Sequence, residues 1–375
     1  MNKKKVIVLG AGLIGKTIAI DLKKSCEVVS ADVSQESLNI LEKEHQISTL
    51  CFDFNDEQKF KETLASFDIV VCAVPGFMGF HTLSKIIKCG KSVVDISFFP
   101  ENALELDELA KNHQVTAIVD CGVAPGLCNL IAGYHNKIKA LTHYECLVGG
   151  LPKVREWPYE YKAVFSPIDV IEEYTRPARY VENGHLVTRE ALSDAELIDF
   201  DKLGTLESFN TDGLRSLALT MSHVPNMKEK TLRFPGHITL MKVLRETGFF
   251  DKNEIDINGQ KIAPLSFTSS LLFPKWKMKK EEADFTVMRV TLENQNERFV
   301  YDLYDEKDEI NQVTSMARTT AYTCTAAVQL LINNLYNKKG IIPPEYLGES
   351  VECFNSMISY LEDRNVRLNV KTIKK

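Results

Sequence analysis

No apolar run in these 375 residues reaches the roughly 18 positions that a membrane-spanning helix requires. The opening Met1-Asn2-Lys3-Lys4-Lys5 leads straight into an apolar strand pattern, so no signal peptide is expected. Basic residues do not outnumber acidic ones. With 45 Lys and Arg against 51 Asp and Glu, the net charge of −6 speaks against nucleic acid and against an anionic membrane surface. Cysteine occurs nine times but never as C-x-x-C, and an odd number of scattered thiols fits a reducing, cytoplasmic setting. No group of His, Cys and Asp has metal-ligand spacing, so no metal is expected. Internal repeats and low-complexity segments are also missing. One stretch, Lys275-Trp276-Lys277-Met278-Lys279-Lys280, interleaves base and aromatic, but Glu281 and Glu282 follow at once and a solvated loop is expected there.

What is present starts near the N-terminus. An apolar run, Val6 to Leu9, meets three glycines spaced G-x-G-x-x-G at Gly10, Gly12 and Gly15. A helical pattern follows through Ile14, Ile18 and Leu22, then a second apolar strand ending at Asp32. This is the βαβ unit of a dinucleotide fold. Gly10 permits the turn out of the strand, Gly12 lets backbone approach a pyrophosphate, and Gly15 lets helix and strand pack closely. The first helical turn, with Leu13 and Ile14, offers N–H groups to the phosphates. Asp32 would accept hydrogen bonds from the adenosine ribose. It is followed by Val33 and Ser34 with no Arg beside it, so NAD is favoured over NADP.

Strands are expected at 5–9, 27–31, 47–51, 68–74, 92–95 and 115–120, with amphipathic segments between them, as in an α/β doubly wound parallel sheet of order 3-2-1-4-5-6. Ligands of such sheets lie beyond the carboxyl ends of the strands. That rule selects Asp53, then Val74-Pro75-Gly76, then Asp95 and Ser97, and then the stretch Asp120 to Asn129. Gly76 should pass near the nicotinamide ribose, and Asn129 could pair with the nicotinamide carboxamide, an amide with an amide. After about residue 124 alternating stretches such as Phe285 to Leu292 and Phe299 to Tyr304 indicate an α+β domain with a mostly antiparallel sheet. Asn183-Gly184 and Asn258-Gly259 signal hairpins. The segment Met316 to Leu335 reads as a buried helix rich in Ala, followed by a last helix over roughly 349–364. The chain is expected to return there to the first domain. The expected division is 1–123 with 318–375 as the NAD-binding domain, and 124–317 for substrate binding and dimerisation.

Taken together, VLGAGLIG at 8–15, AVPGFMGF at 73–80, VVDISFFPEN at 93–102 and DCGVAPGLCN at 120–129 resemble the saccharopine dehydrogenase superfamily. So do VGGLPK at 148–153, YKAVFSP at 161–167, IEEYTRPARYVENG at 171–184, TDGLRS at 211–216, TLRFPGH at 231–237 and IIPPEYLG at 341–348. Within the superfamily the likeness is to the L-lysine 6-dehydrogenases. The resemblance implies a homodimer and NAD-dependent oxidation of an amino-acid CH–NH2 group. The product of the lysine ε-amine would be a semialdehyde that cyclises. A saccharopine dehydrogenase, a carboxynorspermidine-type condensing enzyme and a non-catalytic NAD-binding regulator are the rival readings.

Such a reaction needs a neutral amine and a grip on the substrate carboxylate. Arg forks match carboxylates, and the motifs supply Arg176, Arg179, Arg215 and Arg233, with Arg215 and Arg233 favoured for their neighbouring glycine turns. Tyr161 and His237 are further candidates for the substrate wall. For the base, Lys162 could serve if desolvated, with Asp95 and Asp120 as alternatives. A strand-end acid could instead bind the substrate ammonium or cap the next turn.

Overall fold

In a computed structural model that describes residues 3–201 and 203–375, the chain divides into two compact units. One is Met1–Ala140 with Ala317–Arg367, the other Leu141–Met316 with Leu368–Lys375. The first unit is a parallel sheet made of β1 (Lys5–Leu9), β2 (Glu27–Asp32), β3 (Ser48–Cys51), β4 (Ile69–Cys72), β5 (Ser92–Asp95) and β6 (Thr116–Ile118). Its order is β6-β5-β4-β1-β2-β3, extended beyond β6 by a seventh strand, Gly340–Ile342. The central strands are β-branched runs buried on both faces; Val6, Ile7, Val8, Val70 and Val71 are all fully inaccessible. Helices between strands begin where expected from their caps. Ser34 accepts from the Ser37 N–H and Asp56 from the Lys59 N–H.

Two differences from the sequence expectation concern where segments belong. Helix Leu127–Ile138 packs in the first unit rather than the second, and strand Leu368–Lys374 joins the second unit's sheet rather than the first. The physical reason for the first is a pair of glycines. A Cβ on Gly133 would sit 2.0 Å from the Glu345 carbonyl oxygen, and one on Gly348 would sit 2.1 Å from that of Leu130. Helix Leu127–Ile138 thus meets helix Pro344–Gly348 backbone to backbone. The last helical stretch is two pieces, this short one and Val351–Glu362. The long buried helix spans Ser315–Ile332, with Ala317, Ala321 and Ala327 fully buried.

The second unit is built on a mixed sheet of order Glu196–Phe200, Gly204–Asn210, Met227–Arg233, His143–Pro152, Asp284–Glu293, Glu297–Glu306, Leu368–Lys374. Only the Met227–Arg233 pairing with His143–Pro152 is parallel along this path. The Arg289 guanidinium of the fifth strand stands 4.7 Å from the ring of Phe200 on the first. Hairpin Ala178–Glu182/His185–Arg189 turns at Asn183 (φ 50°) and Gly184 (φ 79°). Hairpin Ile255–Ile257/Gln260–Ile262 turns at Asn258 (φ 54°) and Gly259 (φ 84°). Both are the left-handed pair that Asn-Gly favours. Helices Pro167–Thr175, His237–Glu246 and Pro264–Trp276 enclose a core of Tyr161, Tyr174, Phe209, Met241 and Trp276. The basic stretch at 275–280 is therefore not wholly a solvated loop. Trp276 ends a helix and is fully buried, while the lysines around it stay outside.

Replacing Gly133 with Ala forces a methyl against the Glu345 carbonyl. The variant is expected to lose about 2 kcal/mol of stability, read as a lower urea midpoint with an unchanged slope.

Candidate functional site

The glycine loop has the form a dinucleotide needs. Gly10 adopts φ +104°, and a Cβ there would lie 2.3 Å from the Ala73 carbonyl oxygen at the end of β4. A Cβ on Gly15 would lie 2.1 Å from the carbonyl oxygen of Gly10. Gly12 differs: a Cβ there would meet nothing within 4 Å, so its surroundings are open where a pyrophosphate would approach. Helix Leu13–Leu22 starts without a side-chain cap or an acid in its first turn, leaving that end suited to an anion. Leu13 is exposed and Ile14 half-buried beside it. The Asp32 carboxylate is fixed by two backbone donors, the Ala11 N–H at 2.6 Å and the Ser34 N–H at 2.8 Å. It is thus tied to the loop it would serve and stays part-exposed at the end of β2. These residues fit a dinucleotide, whose nicotinamide end would supply the hydride acceptor.

The other strand ends are less uniform. Asp53 lies exposed after β3 and accepts from the Asn55 N–H at 2.9 Å, capping its own turn. Val74 is buried, Pro75 is exposed and Gly76 opens helix Gly76–Lys88. Asp95 is fully buried at the end of β5, accepting from the Ser97 N–H at 2.9 Å and from the Ser97 hydroxyl at 3.2 Å. Burial, helped by repulsion from Asp120, pushes its carboxyl up to about 7 against the opposing hydrogen bonds. Asp120 follows β6 at φ +51°, 5% exposed. Asn129 departs from its expected role. Its amide oxygen accepts from the Gly126 N–H at 3.1 Å and its amide nitrogen donates to Glu345 at 3.2 Å. Fully buried, it closes the loop at 122–126 and anchors the returning segment. It does not pair with a nicotinamide carboxamide.

The four arginines of the second unit differ in their surroundings. Arg233 is 2% exposed and fully engaged. It donates to Glu173 at 2.6 Å, to the Tyr174 hydroxyl at 3.2 Å and to the Leu232 carbonyl at 2.9 Å, with its guanidinium 4.5 Å from the Tyr161 ring. Arg179 forms a two-pronged pair with Asp212 at 2.9 and 2.8 Å. The expectation that Arg233 grips substrate is therefore corrected: its fork is spent on Glu173 and Tyr174. Arg176 also has an acid beside it, with its guanidinium 3.6 Å from Glu172. Burial and the nearby Arg215 charge lower the pKa of Arg176. Arg215, 6% exposed, adopts φ +52°, an uncommon conformation for a long side chain.

Lys162 is corrected as well. Its ammonium lies 3.0 Å from Glu156 and 3.1 Å from Glu282. Desolvation opposes the charge, but the two carboxylates outweigh it and the pKa is raised, so this Lys stays protonated. His237 accepts from the Tyr174 hydroxyl at Nε2 (2.9 Å) if, as its geometry requires, Nδ1–H donates to the Tyr159 carbonyl at 2.8 Å. Burial and the Arg233 charge push it down to about 3, so it is a neutral structural link rather than a proton carrier. Tyr161, 3% exposed, contacts His237 and Trp276 in the same cluster. The residues missed in the sequence are the partners: Glu173, Tyr174, Tyr159 and Glu282. The motifs at 161–167, 171–184 and 231–237 are the only signal, since all three converge here.

Residues 6–118 match the family model described as the saccharopine dehydrogenase NADP binding domain. Residues 122–366 match the one described as the saccharopine dehydrogenase C-terminal domain. The chain belongs to the saccharopine dehydrogenase family. Among curated members, the mitochondrial alpha-aminoadipic semialdehyde synthase of Bos taurus is 26% identical over 196 residues, covering 50% of this chain and 21% of that protein. The NADP(+), L-glutamate-forming saccharopine dehydrogenase of Pyricularia oryzae is 25% identical over 271 residues, covering 68% of this chain and 60% of that protein. The chain thus spans less than two thirds of either relative's length. The apo, histidine-tagged, L-Glu-forming saccharopine dehydrogenase of Saccharomyces cerevisiae shares the fold, with a TM-score of 0.77 at 18% identity over 99% of this chain and 100% of that one.

Two measurements follow from these environments. Asp95 has a folded pKa above its unfolded value, so its contribution to stability is complete below about pH 4 and is lost as pH rises through about 7. Asp95→Asn should therefore lose less melting temperature than the wild type between about pH 5 and about pH 8. Arg233→Met strands Glu173 and should cost about 3–5 kcal/mol in denaturant unfolding, partly recovered when Glu173→Gln is added.

Proposed function

We propose that this member of the family is an NAD-dependent dehydrogenase of an amino-acid amine, acting on the ε-amine of L-lysine. The observation that carries the cofactor half is Asp32: a carboxylate held by two loop N–H groups at the end of β2, followed by Val33, Ser34, Gln35 and Glu36 with no cation among them. It suits free ribose hydroxyls and repels a 2′-phosphate. That is the reason to read NAD in a family whose domain model is described as binding NADP.

The substrate half rests on the arginines and on the resemblance to L-lysine 6-dehydrogenases. Of the four, we assign Arg215, whose charge lies near enough to Arg176 to lower the pKa there, to a carboxylate. A saccharopine substrate, with more than one carboxylate, would call on more of the four. That favours a substrate with one. Lys162 stays charged, so it cannot take a proton, and Asp95 is sealed. We assign Asp120 to the substrate amine, where a carboxylate can hold the ammonium and accept its proton before hydride leaves the carbon. The resulting imine would hydrolyse to the semialdehyde, which cyclises.

A screen of the purified chain with NAD⁺ and NADP⁺ against lysine, ornithine and saccharopine tests this. Lysine with NAD⁺ should give the NADH absorbance, and Arg215→Met should lower kcat/KM for lysine about a hundredfold. Turnover of saccharopine with NADP⁺ and none of lysine would sink the assignment. NAD⁺ binding without turnover of any amine would favour a regulator instead.

A further inference from the structure

The helix that opens at Gly12 ends beside an acid that local structure disfavours. Asp21 lies in the last turn of Leu13–Leu22 and is 2% exposed. A helix C-terminus carries partial negative charge, and burial strips a carboxylate of water. No basic residue stands in that last turn to offset either effect. Relief comes mainly from residues more than 300 positions away in the same unit. Arg364 Nε donates to both carboxylate oxygens, at 3.0 and 2.9 Å. The Tyr360 and Thr325 hydroxyls each donate to Oδ2 at 2.8 Å. The largely exposed Lys24 ammonium is 3.0 Å from Oδ1. Burial pushes the Asp21 carboxyl up, yet these partners outweigh it and hold it below its ordinary value. The guanidinium is itself held, by its Nη1 donating to the Tyr360 carbonyl at 3.1 Å and by the Tyr360 ring at 3.4 Å. A second tie, Gln329 to Ser25 at 2.9 Å, joins the same elements one turn further on.

The other end of the helix has no slack. Gly15 already rests against the Gly10 carbonyl with no space for a methyl group. The helix is ten residues, about 15 Å, so Asp21 and the N–H groups at its start belong to one short, continuous hydrogen-bonded element. An apolar residue at position 21 would fill the buried face without needing a partner. The acid makes the seating of this helix depend on the docking of residues 322–364.

We propose that the Asp21–Arg364 contact is a positioning latch for the dinucleotide site, through which the returning C-terminal segment sets where the glycine-loop helix presents its N–H groups. This rests on the reading of that loop as a dinucleotide site. Asp21 and Arg364 touch no cofactor in it; they act through the helix.

The test titrates NAD⁺ calorimetrically into the full chain as wild type, Arg364→Gln, Asp21→Asn and the double variant. It is done below each melting temperature, and the melts are recorded separately. Arg364→Gln leaves the carboxylate buried without its guanidinium and should raise the Kd for NAD⁺ about tenfold. Adding Asp21→Asn removes the stranded charge and should return the Kd to within about threefold of Asp21→Asn alone. If Arg364→Gln melts lower but binds NAD⁺ as the wild type does, the contact serves stability alone and the latch is overturned. If Arg364→Gln does not fold, Tyr360→Phe is titrated instead. A Kd raised about twofold to threefold supports the latch, and an unchanged one overturns it. A wild type that binds neither NAD⁺ nor NADP⁺ is a different result, which overturns the dinucleotide reading and the latch with it.

Discussion

The main chain at Gly10 lies so close to that of Ala73 on one side, and the main chain at Gly15 so close to that of Gly10, that neither approach has space for a methyl carbon. Everything else in the first unit is arranged to keep that approach. The strands on either side are β-branched and inaccessible, so they do not shift. The helix leaving the loop is seated at its start by glycine against carbonyl and at its end by a buried carboxylate. The same device recurs where Gly133 and Gly348 bring two helices into backbone contact. At these two approaches the unit dispenses with side chains, since backbone groups have no rotamers to absorb error.

The second unit solves a different problem, that of placing charge inside apolar surroundings. Arg233 sits among Tyr161, Tyr174 and Phe209 and is tolerable there only because Glu173 is 2.6 Å away. The Tyr174 hydroxyl passes the network on to His237, which ends on a backbone carbonyl. The hydrogen bonds from Arg233 to Glu173 and Tyr174 and on to His237 are directional, which favours one arrangement of these motifs over others. Lys162 is kept charged in the same way by two carboxylates. These groups read as chemistry in the sequence, and in the structure each is held by internal partners.

The difference has a physical basis. The glycine loop was legible because its requirements are local: a tight turn, a close approach and a helix start all fall within a few residues, and an acid about twenty residues on completes the unit. The Asn-Gly hairpins were legible for the same reason, as backbone conformation depends on the two residues in the turn. Arginine is another matter. Arg215 and Arg233 have similar glycine turns beside them, and the Glu173 that commits Arg233 lies some sixty residues away, invisible from the turn itself. Asn129 looked like an amide awaiting an amide until Glu345 was placed beside it, more than two hundred residues on. Trp276 looked solvated because its neighbours in sequence are lysines, whereas its neighbours in space are aromatic rings.

From residue order alone come the alternation of strand and helix, the parallel sheet and its order, the dinucleotide loop with its acid, and the family motifs. Each depends on periodicity or on spacings short enough to read along the chain. Which charges are spent on holding the fold was decided by tertiary structure. Pairing depends on distances between residues that the sequence places far apart. The acid at Asp21 shows both sides: its place in a helical turn is visible in the sequence, but that turn disfavours it, and the arginine that reverses this arrives only when the end of the chain folds back.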